Sequence, residues 1–241
     1  MSKPTLPELD SSLYPQFWEQ QIFNDPQALL VAMLKGRITP DPQAFTKQIL
    51  ANDVYQEWIN FTVFGRYIQR NFAAFYQQSE DSFNMDMPAL FRHELRRYGQ
   101  YLPFGQILFV AGQIPESARR EKLFTTTVNP ATAVMRAQTI NQSVNKSTNK
   151  SALTGSQDLI VNHIRVKSKQ VLGFAIRHNK RTSERTRNEV LILDFNDLRL
   201  VDEQIVGDNI SGNKASNEEG SNTATLPNVE SAVLLRYYEL R

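Results

Sequence analysis

Three consecutive hydroxyls, Thr125, Thr126 and Thr127, and one acid about sixty residues later, Glu189, stand out in a chain that has no cysteine and three scattered histidines. Without thiols there is no disulfide, no thiolate zinc site and no cysteine nucleophile, and the histidine spacing does not form a metal motif. Chemistry therefore falls to hydroxyls, carboxylates, amides or a bound cofactor. Glu189 stands immediately before Val190-Leu191-Ile192-Leu193, a strand-forming run, so its carboxylate is expected to be exposed yet rigidly held at the mouth of that strand. An acid in this position can also be a plain solvated charge, and threonine triplets also decorate exposed strands. The window Arg165 to Arg187 adds a third feature: eight basic residues against one acid, Glu184, in a chain whose net charge is only +2.

The elements that must hold these residues change character along the sequence. The first part is helical: Asp25-Pro26 and Asp41-Pro42 are cap-and-proline starts, and Gly36 ends the first helix. From Val54 to Tyr76, Trp58, Phe61, Phe64, Ile68, Phe72 and Phe75 recur at helical spacing and read as core. A further helix is expected from Met87-Pro88 to about Tyr98. From Phe104 onward, seven short apolar runs rich in β-branched residues alternate with polar turns, and one helix starts near Ala131 and runs to about Asn141. The reading is an α+β chain: a helical region over 1–100, then two packed, mostly antiparallel sheets over 101–241. Two polar stretches, about 145–157 and 208–228, read as mobile loops. There is no apolar run of membrane-spanning length and the start is polar and Pro-rich, so the chain is expected to be cytoplasmic, without membrane contact. Internal repeats, a Gly-rich phosphate loop, a zinc-binding helix motif and a nucleophile elbow are all missing.

Taken in order, LPFGQILFVAG, LFTTTVNPATAVMRA and RTSERTRNEVLIL resemble the arginine, Ser-Thr-Ser, Glu-x-Glu layout of mono-ADP-ribosyltransferase toxins, over about Leu102 to Leu240. The resemblance implies NAD as a substrate and no metal. It implies Glu189 and Thr126 as catalytic positions, and Thr125, Thr127, Phe109, Gly112 and Asn129 around the NAD. In such chemistry a carboxylate that holds the ribose hydroxyls stabilises the oxocarbenium character of the transition state. Two family charges are replaced here. Val110 stands where the phosphate-binding arginine is expected, and Arg187 replaces the first acid of Glu-x-Glu, which argues against arginine as the target. Arg92, Arg96 or Arg119 could substitute for the missing cation, and Glu184 for the missing acid.

The stretch from Arg177 to Arg187 corresponds to the family's target-recognition loop. Arg177, Lys180, Arg181, Arg185 and Arg187, with Glu184 among them, imply an acidic protein or RNA acceptor. An antitoxin or chaperone partner is implied by the family alone. The expected function is a toxin or defence effector that transfers ADP-ribose. Two other classes remain open: an inactive protein of the same fold that binds without turnover, and a basic nucleic-acid-binding module.

Overall fold

The computed structural model describes residues 3–9, 13–14, 17–18, 21–23, 25–60, 95–114, 124–147, 158–176, 183–206 and 232–241. The chain is α+β. A two-residue hairpin, β1 (Phe17–Trp18) with β2 (Gln21–Ile22), precedes three helices, α1 (Pro26–Leu34), α2 (Pro42–Ala51) and α3 (Asp53–Asn60). Their starts follow the sequence signals. The Asp25 carboxylate accepts from the Ala28 amide at 2.8 Å, and that of Asp41 accepts from the Gln43 and Ala44 amides. Asn52 does the same for α3, accepting from the Tyr55 amide at 3.0 Å. Gly36, with φ +69, turns the chain out of α1. Trp58 is fully buried and donates to the Pro7 carbonyl at 2.7 Å, as a core aromatic should. The other aromatics of its stripe, from Phe61 to Phe75, and the helix starting at Met87 lie outside the described residues; its last turn, 95–98, is helical.

All seven apolar runs from Phe104 onward are strands. With β3 (Gln100–Tyr101) they comprise β4 (Ile107–Ala111), β5 (Phe124–Thr127), β6 (Leu159–Val166), β7 (Leu172–Ala175), β8 (Glu189–Asp194), β9 (Leu198–Ile205) and β10 (Val233–Leu240). The sequence predicts two sheets, but these eight strands form a single hydrogen-bonded sheet in the order β3-β7-β8-β5-β4-β6-β10-β9. Only β6 and β10 run parallel. The discrepancy has a local cause. The two middle strands β4 and β5 pair at one position, Phe109 opposite Thr127, so the ladder that joins the two four-stranded halves is one pair long.

Strands β7 and β8 are buried on both faces, which is why Val190-Leu191-Ile192-Leu193 is continuously apolar instead of alternating. Val190 and Ile192 join the main core with α1, α2 and α3, while Leu191 and Leu193 pack with Leu95, Leu172 and Phe174. The helix after β5, α4 (Pro130–Ser147), packs on β4, β5 and β6 and so bridges the two halves. It extends six residues past the predicted end, so 145–147, expected in a loop, are helical; no glycine or proline occurs before Gly155 to stop it. The remainder of that loop and all of 208–228 lie outside the described residues.

Candidate functional site

Cross-strand register brings the sequence-predicted residues together. Phe109 lies opposite Thr127, and Thr127 lies opposite Glu189, so the three form one row across β4, β5 and β8. The threonine hydroxyls then fix the start of β8. Thr127 donates to the Arg187 carbonyl, and Thr126 donates to the Val190 carbonyl at 2.7 Å. Glu189 is held between these two attachment points. Thr126 and Thr127 thus clamp the carboxylate's backbone, a role that threonine fills well because its β-branched side chain is restricted at χ1.

Asn188, just before Glu189, adopts φ +42, the left-handed region that non-glycine residues other than Asn and Asp seldom visit. Its side-chain oxygen accepts from the Thr46 hydroxyl at 2.7 Å and from the Asn129 amide at 3.1 Å. Asn129 was expected to touch NAD. Its amide nitrogen instead serves the carbonyls of Pro42 and Thr186 as well, its oxygen accepts from the Thr132 amide at the start of α4, and its own backbone N–H donates to Thr127 at 2.9 Å. It is fully buried and ties α2, α4 and the Glu189 turn together. Tyr55 joins this network through a hydrogen bond with the Asn188 side chain, and burial pushes its hydroxyl up to about 12.

Beside the Phe109–Thr127 junction, β4, β5 and α4 enclose a cavity of about 400 Å³. It is lined by Phe109, Val110 and Ala111 from β4, by all three threonines, and by Ala133, Arg136, Thr139 and Ile140 from α4. Gly112 sits at its edge. Its φ of +76 excludes most side chains, and a Cβ there would come within 3.2 Å of Ile140. The end of β4 is fixed by Asn162, whose amide donates to the carbonyls of Val110 (3.1 Å) and Gly112 (2.6 Å).

Glu189 is not the exposed acid that its sequence position predicts. Its side chain is 3% exposed, because α4 covers it and Arg136 pairs with Oε1 at 2.7 Å. Arg187, two residues before Glu189, stands 3.9 Å from the same oxygen. Arg136 is the functional candidate that sequence reading misses: within MRAQT it looks like an ordinary solvated helix residue. Of the cations considered as substitutes, Arg96 pairs with Asp194 at the far end of β8, and Arg92 and Arg119 lie outside the described residues. The basic loop is described only in part. Ser183–Arg187, which includes Glu184, forms a 3-10 turn with Arg185 exposed, whereas Arg177, Lys180 and Arg181 lie outside the described residues.

A larger cavity, about 700 Å³, lies against the other side of the Asn188 turn, between α2, α3 and the 3-10 turn, with Lys47, Tyr55, Ile176 and Arg185 in its wall. It contains neither Thr125 to Thr127 nor Arg136. Among the described residues no cluster of three His, Asp or Glu side chains is placed to hold a metal, and no helix is long and apolar enough to cross a membrane. Comparison with protein-family models, with curated proteins and with solved structures returned no match.

Proposed function

We propose that the chain is an NAD-dependent mono-ADP-ribosyltransferase with an ADP-ribosyltransferase-like fold, acting as a toxin or defence effector. The observation that carries this reading is the row Phe109, Thr127, Glu189 at the point where the sheet divides, with the cavity opening beside it. Segments that resemble the first two family motifs line one cavity whose volume falls in the usual range for small-ligand sites, and Glu189, from the third, is tied to its wall through Arg136.

In the proposed reaction the bond between the nicotinamide nitrogen and the ribose carbon breaks, and nicotinamide leaves with the electron pair. The acceptor's nucleophilic atom forms a bond to that carbon and loses a proton. Glu189 accepts hydrogen bonds from the ribose hydroxyls as positive charge grows on the ring, and Thr126 and Thr127 act as positioning residues by fixing its backbone. The larger cavity on the other side of the Asn188 turn gives an acceptor its own approach. Lys47 and Arg185 there favour an acidic protein segment or RNA.

The decisive experiment incubates the protein with labelled NAD and cell lysate, follows nicotinamide release, and separates labelled protein from labelled RNA. Transfer by the wild type that is lost in Glu189→Gln is expected. A wild type that neither consumes NAD nor labels any acceptor removes the enzymatic reading. One observation favours a second reading, an inactive binding protein of the same fold: the Glu189 carboxylate is sealed under Arg136. NAD binding by calorimetry without nicotinamide release identifies that case.

A further inference from the structure

Two arginines meet one acid at the lip of the divided sheet. Arg136 is 2.7 Å and Arg187 3.9 Å from the same oxygen of Glu189, so these three groups carry one positive charge in excess. The carboxylate is 3% exposed, but the two guanidiniums are 38% and 41% exposed. Arg136 also forms part of the cavity wall, and among the described residues no acidic side chain lines that wall to oppose it. The other polar groups there are threonine hydroxyls. A guanidinium has five N–H donors in a planar fork, and one bond to Glu189 leaves most of them for a second partner.

We infer that Arg136 anchors a phosphoryl group in this cavity, and that the anion competes with the Glu189 carboxylate for the same guanidinium. This rests on the transferase reading only in naming the anion as the pyrophosphate of a dinucleotide. The pyrophosphate of a dinucleotide carries two negative charges to the carboxylate's one and can accept two parallel N–H bonds, so it draws Arg136 toward the cavity. Arg187 remains beside Oε1, so Glu189 is not left as an uncompensated buried charge during the exchange. The binding step therefore unseals the acid. By linkage the coupling is reciprocal: whatever frees Arg136 from Glu189 must strengthen anion binding, and whatever binds Arg136 must loosen Glu189.

Calorimetry with inorganic pyrophosphate and with ADP-ribose, on the full chain, tests this without any turnover. Glu189→Gln removes the competing charge, and pyrophosphate affinity is expected to rise roughly fivefold or more, the lower range of ordinary coupling. Arg136→Gln combined with Glu189→Gln removes both partners and leaves no stranded charge; pyrophosphate and ADP-ribose affinity should then fall by roughly ten- to a hundredfold relative to Glu189→Gln alone, the loss of one or two charge-assisted bonds. Arg96→Gln, at the far end of β8, should bind as the wild type does. The inference is overturned if Glu189→Gln fails to tighten binding, if the double variant binds as well as Glu189→Gln, or if pyrophosphate binds neither the wild type nor Glu189→Gln. The two proposals fail separately. Without NAD consumption, an Arg136-dependent pyrophosphate isotherm keeps the anion site and removes the transferase; NAD consumption with isotherms indifferent to Arg136 does the reverse.

Discussion

The Thr127 hydroxyl donates to the Arg187 carbonyl while accepting from the Asn129 amide at 2.9 Å, so one side chain on β5 ties the start of α4 to the turn that carries Glu189. Thr127→Val keeps the shape and removes these bonds together with the longer one to the Asn188 carbonyl at 3.3 Å, so the buried Asn129 N–H and the turn carbonyls lose the hydroxyl. A loss of about 2 kcal/mol is expected by urea denaturation, within the range for unsatisfied buried groups. Thr127→Ser retains the hydroxyl, and about 1 kcal/mol or less should separate it from the wild type. Equal losses for the two variants would mean that packing of the methyl group, not the hydroxyl, holds the turn.

Arg136→Gln leaves the Glu189 carboxylate buried beside a more distant Arg187. Breaking a fully buried pair costs about 3–5 kcal/mol. Here about 2 kcal/mol is expected, because Arg136 is partly solvated and Arg187 compensates in part. The double change with Glu189→Gln should recover much of this loss, which a double-mutant cycle in urea measures.

Asn188 combines a left-handed backbone with a buried amide, and two substitutions separate these contributions. Asn188→Gly keeps the backbone and loses the amide's bonds to Thr46 and Asn129. Asn188→Ala loses the same bonds and adds backbone strain of about 1 kcal/mol. Thermal melting should therefore rank the wild type above glycine and glycine above alanine, whereas equal melting points for the two variants would leave the backbone unstrained.

Acid should destabilise the protein through His163. Burial, with Arg165 adding to it, lowers this imidazole from 6.5 to about 4. As pH falls through that window the unfolded chain takes up a proton that the folded chain refuses, so stability is lost progressively between pH 6.5 and 4 and levels off below. The shift corresponds to about 3 kcal/mol. His163→Gln should flatten urea midpoints across this interval, and a wild-type profile with no slope there would contradict a neutral buried His163.

Local chemistry made much of this molecule legible. Asp25, Asp41 and Gly36 mark helix ends because capping acts within one turn, and the seven strands follow from short β-branched runs. The site was only half legible. Thr125 to Thr127 and Glu189 are visible as a hydroxyl run and a strand-leading acid, but the partners that define them are distant in sequence. Arg136 meets Glu189 across 53 positions and Thr46 meets Asn188 across 142. No local periodicity encodes such pairings. Burial of Glu189 likewise depends on how α4 lies over β5, a packing decision made by the whole core.

The one ladder pair that joins the two halves of the sheet, Phe109 with Thr127, lies in the wall of the cavity. A sheet normally resists opening because many ladder bonds must break together, but at this seam few have to. Helix α4 acts as a splint across it, so a small tilt of that helix can change the cavity volume without unzipping either half. Among the described strands the shortest ladder in the sheet therefore runs beside the proposed ligand cavity, so mechanical compliance and recognition would share one seam.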